Sequence, residues 1–485
     1  MACRRLQGNL RIVSTVDLAR WQFAITTIFH FTFVPMSIGL AVWVAVCQTR
    51  YHRTGNEVYL RMTRFWGRFL LISLAIGVVT GIVQEFQFGM NWSQYSKYVG
   101  DVFGAPLAME ALIAFFLEST FIGLWIFGWG RLSPRVHLAT IWLTAVGTVL
   151  SAYFILAANS WMQHPVGYTI NHVSHRAEMT NIFTVLTNST VLLAFPHTIL
   201  GAFTTAGMLI IGISCLLLLR KRQSAVVSRS LRMALPATLV AVVLTMVAGD
   251  GQGRLMEQQQ PMKMAAAEAI YNTQKGAGFS IYADAGFTRH PKHLHKDITI
   301  PHGLSLLADL SWNGTVKGIN QINAAEQQKY GPGDYVPIVG VEYWTFRLMI
   351  GAGMLMVLIT LIGLVLMRRR RLEVSRRFWK FSILGILLPI LANWTGWIFT
   401  EVGRQPWVVF GLLRTSTANS PNVSSASIVI TLAGYIVIYG ALIGIGGWLM
   451  LRDVRQGPEP DPSERGDGGA GSPESPASRD LVLAY

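Results

Sequence analysis

The stretch LLAFPHTILGAFTTAGMLIIGISCLLLLRKR, residues 192–222, decides what kind of chain this is. From Leu192 to Leu219 it contains no Asp, Glu, Lys or Arg, and three cations then follow together. A helix needs about 20 consecutive apolar residues to cross the hydrocarbon of a bilayer. A block of Lys and Arg at the end of such a run marks a cytoplasmic loop. His197 lies inside the run, where an ionisable side chain is costly unless it is paired or functional.

Working outward, runs of this length recur along the chain. They predict an all-α, polytopic membrane protein with about nine spans: 19–48, 66–84, 105–129, 136–158, 185–219, 233–250, 342–367, 379–402 and 426–451. Of the 485 residues, 52% are apolar and 13% charged, whereas a soluble domain has about 25% charged. No cleavable signal is expected, because polar residues recur up to Gln22 just before the first run. The net charge of +15 resides in short loops, so it reads as membrane topology and not as nucleic-acid binding. Cys3, Cys47 and Cys215 are far apart and form neither a disulfide framework nor a metal motif.

The first, third, fifth and seventh connections are basic, for example Arg50 to Arg68 and RRRRLEVSRRFWK, residues 368–380. These face the cytoplasm by the positive-inside rule, which puts the N-terminus outside and the C-terminus inside. The sixth connection, about 251–341, is long, extracytoplasmic and folded as a small excursion. Residues 1–452 thus form the membrane domain. The Gly-, Pro- and acid-rich 453–485 is a disordered cytoplasmic tail.

Few ionisable or soft donor groups lie within the spans. The candidates among them are His30, His197, Glu110, Glu118, Glu401 and the thioether of Met349. At about 1.5 Å per residue, all fall in or near the outer half of the bilayer, on the side of the long loop. Scattered packing contacts have no reason to choose one leaflet. Two histidines, a methionine and carboxylates in a helical bundle point to haem, with Arg404 and Arg347 placed to neutralise propionates. Glu110 and Glu118, eight residues apart, lie within about 80° of each other on an unbroken helix. With Ser119 they form a candidate proton relay. In the loop, Lys263 and Glu268 are candidate bases for a quinol, which loses two protons with its two electrons. The cluster RHPKHLHK, 289–296, reads as loop surface.

These residues stand in segments that resemble subunit I of the cytochrome bd quinol oxidases. The segments are RWQFAITTIFHFTFVP, GIVQEFQFGMNWSQYSKYVGDVFGAPLAMEALIAFFLESTFIGL, AANSWMQHPVG, FPHT, QQQPMKMAAAEA, FRLM and GWIFTEVGRQPW. The likeness spans about residues 16–452 and is of the short-loop type. It implies two haems b and one haem d. His197 and Met349 would be the axial ligands of the low-spin haem b, Glu401 the ligand of the high-spin haem b, and His30 that of haem d. Trp397 and Arg404 would stand beside the haems. Glu110, Glu118 and Ser119 would serve the oxygen site and its proton route, and Lys263 and Glu268 the quinol. It further implies a bacterial cytoplasmic-membrane enzyme that oxidises ubiquinol or menaquinol outside. Oxygen is reduced to water with cytoplasmic protons, and the charge separation needs no pump. A second subunit completes a heterodimer, sometimes with small single-span peptides. Two other readings compete: a haem-b electron-transfer subunit without oxygen chemistry, and a haem-free proton-coupled transporter.

Overall fold

The computed structural model describes residues 14–222, 224–284 and 295–459. The tail beyond 459 and positions 289–294 of the basic loop cluster lie outside the described residues.

Nine helices or helix pairs among the described residues are long and apolar enough to span a membrane. The chain begins with α1 (Thr15–Thr54) and α2 (Glu57–Met90). The third span is α3 (Ser93–Met109), a π segment (Glu110–Phe115) and α4 (Phe116–Phe127). Then come α5 (Pro134–Gln163), the short α6 (Ile182–Leu186), α7 (Ser189–Leu219) and α8 (Ala225–Gln259). The long connection contains α9 (Pro261–Ala267), α10 (Gly303–Asp309) and α11 (Ile319–Tyr330). The last spans are α12 (Val339–Arg368), the pair α13 (Arg376–Leu384) and α14 (Leu387–Val402), and α15 (Ser425–Gln456). Antiparallel two-stranded ribbons decorate the connections: β1 (Tyr168–Asn171) with β2 (Arg176–Met179), β3 (Gln274–Lys275) with β6 (Thr315–Val316), β4 (Phe279–Asp284) with β5 (His295–Ile300), and β7 (Trp407–Val409) with β8 (Leu413–Arg414).

The helices outrun the apolar runs because polar caps prolong them past the hydrocarbon. Asn56 and Asn188 accept from the backbone N–H of Val58 and Val191, and Ser224 from that of Val227. The largest departure from expectation concerns α8. It continues unbroken through GDGQGRLMEQQ to Gln259, so the long connection is shorter than 251–341 and starts at Gln260. The two glycines in GDG do not stop it, because the same stretch packs on α7, where Gln252 reaches the Leu193 carbonyl.

Two spans are broken. In α13–α14, Pro389 has no N–H to offer the carbonyl four residues back, at Gly385. Gly385 in turn lets that turn lie against Met208 of α7. In the third span, Glu110–Phe115 is wound as a π-helix. Such a turn takes more residues per revolution, so the 80° offset expected between Glu110 and Glu118 on an unbroken α-helix does not hold.

The centre of the bundle is α7. In its most apolar stretch 83% of residues are buried, against 11% in the third span and in α15. The outlying spans therefore keep apolar faces such as Leu112, Phe116, Ile430 and Val437 exposed, as lipid or another apolar chain requires. The long connection folds onto the end of α12 through its own apolar cluster, which includes Met262, Ala266, Ile319, Ile322 and Tyr343.

Candidate functional site

His30 points from α1 at α2. Its Nδ1 lies 3.0 Å from Thr80 Oγ1. That hydroxyl donates to the carbonyls of Ile76 and Gly77, so it accepts from His30. The proton is therefore on Nδ1, and the lone pair on Nε2 is left for a ligand. His197 repeats the arrangement between α7 and α8, with Nδ1 donating to the Thr245 carbonyl at 2.9 Å. A histidine that ligates a metal commonly secures its other ring nitrogen in this way.

His30, His197 and Met349 each also face a glycine on the neighbouring helix. A Cβ at Gly81 would lie 3.1 Å from His30 Cε1, and one at Gly249 would lie 3.1 Å from His197 Cε1. A Cβ at Gly396 would lie 3.1 Å from Met349 Sδ. The glycines let the helices close onto these side chains and hold them.

Glu401, at the end of α14, is half-buried. Its Oε1 accepts from Asn159 Nδ2 at 3.1 Å, and its Oε2 pairs with Arg404. Arg404 is only 4% exposed, yet its Nε and Nη1 have no partner among the described residues. A buried guanidinium with two unused donors beside a carboxylate is prepared for a further anion. Trp397, one turn earlier, packs on Phe31 with ring centroids 4.3 Å apart, next to His30.

Among the described residues, no three His, Cys, Asp or Glu side chains gather as a bare metal site. Single imidazole, thioether and carboxylate donors on separate helices, with an arginine free for an anionic substituent, fit haem iron and propionates.

The long connection covers this end of the bundle. Lys263 of α9 is buried, with Nζ 3.1 Å from Gln163 Oε1. Gln163 donates to Asn159, which donates to Glu401. Burial lowers the Lys263 amine to about 8, and the nearby Glu342 carboxylate opposes that shift. Gly403 makes this approach possible, since a Cβ there would meet Glu342 Oε2 and Lys263 Cγ at 2.4 and 2.5 Å.

Glu268 pairs with Arg347 at 2.7 Å, both buried. Arg347, expected at a propionate, instead spends its donors on the connection. It binds the Ser280 and Ala267 carbonyls as well as Glu268, and its guanidinium lies 3.6 Å from the Tyr343 ring centre. It therefore clamps the connection to α12. Lys263 and Glu268 face different partners, as their five-residue spacing requires.

Glu110 and Glu118 lie deeper in the third span. Glu110 Oε1 accepts from Ser151 at 2.6 Å, and its Oε2 is buried with no partner among the described residues. Glu118 is buried where α4 crosses α5 at Gly147. Together with Ser119 it lines a mostly apolar cavity of about 530 Å³ between α2, α4 and α15, whose far end carries Arg68, Arg452 and Asp453. Glu110 is not part of that lining.

Several participants escape a sequence reading. Thr80, Thr245, Asn159 and Gln163 are ordinary polar residues until their partners are known. Glu342 is the first residue of the run read as 342–367, where it passes for an interfacial charge until its neighbour Lys263 is known.

The sequence family described as cytochrome bd terminal oxidase subunit I matches residues 18–458. The chain is 46% identical to cytochrome bd ubiquinol oxidase subunit 1 of Bacillus subtilis (strain 168), over 93% of this chain and 95% of that one. It is 35% identical to cytochrome bd-II ubiquinol oxidase subunit 1 of Escherichia coli (strain K12), over 93% of this chain and 98% of that one. Its fold is similar to that in the structure of bd oxidase from Geobacillus thermodenitrificans. There the TM-score is 0.83 at 24% identity, covering 92% of this chain and 99% of that one.

Proposed function

The chain belongs to the cytochrome bd terminal oxidase subunit I family, and from that premise we propose how its residues divide the work. It is a membrane-bound quinol:oxygen oxidoreductase of the respiratory chain, which sets aside the haem-free transporter and the haem-b electron-transfer subunit. The finer assignment is the proposal. His197 and Met349 hold a low-spin haem b, Glu401 a high-spin haem b, and His30 a haem d. Haem, when bound, supplies one-electron carriers and an iron position open to oxygen.

The chain's own residues do the rest. Thr80 and Thr245 fix the tautomers that present Nε2. Arg404 balances the Glu401 carboxylate and neutralises a propionate. The connection, now Gln260–Ile338, binds quinol at the outer face through Lys263 and Glu268, with Arg347 holding Glu268 in place. Glu118, Ser119 and Glu110 move protons inward from the cytoplasmic end, where Arg68 and Asp453 flank the cavity. The N-terminus lies outside and the C-terminus inside, with the tail beginning after α15 ends at Gln456 and not at 453, since Asp453 is a buried residue of that helix. Residues 1–452 are the haem-binding domain. A second subunit covers the apolar faces of the outlying spans, with room for small single-span peptides.

The observation that carries this reading is the repeated histidine arrangement, with Nδ1 committed, Nε2 free and a glycine opposite. Pigment extraction with redox-resolved spectra of the purified oxidase tests it. The expected result is two b-type haems and one haem d. Met349→Leu is expected to remove or shift the low-spin b band while the haem d band stays. An unchanged low-spin spectrum in that variant would reduce Met349 to packing.

A further inference from the structure

A small cavity of about 10 Å³ lies between the connection and the end of α14, lined among others by Gln260, Lys263, Glu326, Arg404 and Trp407. That volume suits one water molecule, provided two to four polar partners surround it. The lining supplies them. Gln260 Oε1, Trp407 Nε1 and the Arg404 Nε and Nη1, one of which remains for the propionate, are buried and have no partner among the described residues. Lys263 and Glu326 both contribute to the lining of this cavity.

Glu326 lies on α11 one turn after Ile322, and both side chains face the buried cluster of the connection. It lines the cavity and keeps 9% of its surface exposed. Among the described residues no group hydrogen-bonds its carboxylate. Its charged and titratable surroundings are Lys329 on its own helix, Lys263 from α9, Arg404 after α14, and Tyr335, which is held by Arg414. Burial raises the carboxyl to about 7, with Lys329 acting the other way. It can thus take and give a proton near neutrality.

We propose that Glu326 is the exit group for protons released at the quinol site, reached from Lys263 through a single bridging water. The proposal rests on the reading of Lys263 as a quinol-binding residue. The balance is simple. Quinol becomes quinone by losing two electrons, which leave for oxygen, and two protons, which leave one at a time. The neutral Lys263 amine accepts a proton, the water passes it to the Glu326 carboxylate, and outside water removes it.

The test uses the complete oxidase. Glu326→Gln is expected to lower kcat about ten-fold, less than the ~100-fold or more of a lost acid–base group, because outside water partly substitutes. KM for quinol should stay the same, and Glu326→Asp should recover most of kcat. A pH-sensitive dye outside proteoliposomes should register slower proton release in Glu326→Gln. Equal kcat and equal release in Glu326→Gln and the parent overturn the exit route. A fall in kcat matched by lost haem absorbance overturns it too, since Glu326 would then serve folding. Lys263→Met separates the premise. Raised KM in that variant with a silent Glu326→Gln leaves the quinol site standing without this exit. Unchanged KM in Lys263→Met removes the quinol reading and the exit with it.

Discussion

His197 commits its Nδ1 proton to the Thr245 carbonyl and backs onto Gly249, so its ring has almost no freedom. Gly249→Val would place branched carbons where even a Cβ sits 3.1 Å from the ring. The expected outcome is loss of more than half of the low-spin b absorbance in reduced-minus-oxidised spectra, with haem d retained. Lys263 offers a pH signature. Its amine, at about 8 in the fold, is an ammonium below that pH and cannot accept a proton from quinol. The ratio kcat/KM should therefore rise as pH increases through about 8, and Lys263→Met should abolish that limb. The stability sign agrees. Between about 8 and the ordinary 10.5 the unfolded chain holds this proton and the native chain does not, so folding gains with rising pH across that window. Neither His197 nor Lys263 needed the structure to be noticed. What the structure added was the partner that fixes the tautomer and the carboxylates around the amine, all distant in sequence.

At the scale of elements, the third span matters most. Its π segment starts at Glu110, and such turns are frequent at functional sites. Eight residues farther on, α4 lies so close to α5 that a Cβ at Gly147 would come 2.9 Å from the Glu118 backbone N. Gly147→Val must push the helices apart, costing roughly 1–3 kcal/mol of packing. Oxygen uptake should slow while KM for quinol stays unchanged, because the damage falls on the proposed proton route and not on the proposed quinol site. Respirometry over a quinol series separates the two. At the other end of the bundle, Gly403→Ala would drive a methyl into Glu342 and Lys263. Here the expected change is the reverse: raised KM with the haem spectrum intact.

At the scale of the molecule, the proposed sidedness makes a vectorial prediction. In membranes with the long connection facing out, quinol oxidation should acidify the outside by as many protons as electrons reach oxygen. A larger yield, read with an external pH dye, would require a pump that the proton route does not contain. The sequence by itself determined the nine spans, the side-chain inventory and the family. Charge and apolarity act locally: a bilayer rejects Asp, Glu, Lys and Arg wherever they stand, so the exceptions announce themselves. Only the tertiary structure decided where α8 ends, how the π segment rotates Glu118 against Glu110, and that Arg347 clamps Glu268. It alone brought Lys263, Glu342 and Glu326 together with Arg404. Those outcomes depend on groups from separate helices competing for the same buried donors and the same few ångströms, and pairing across such distances leaves no local mark in a chain.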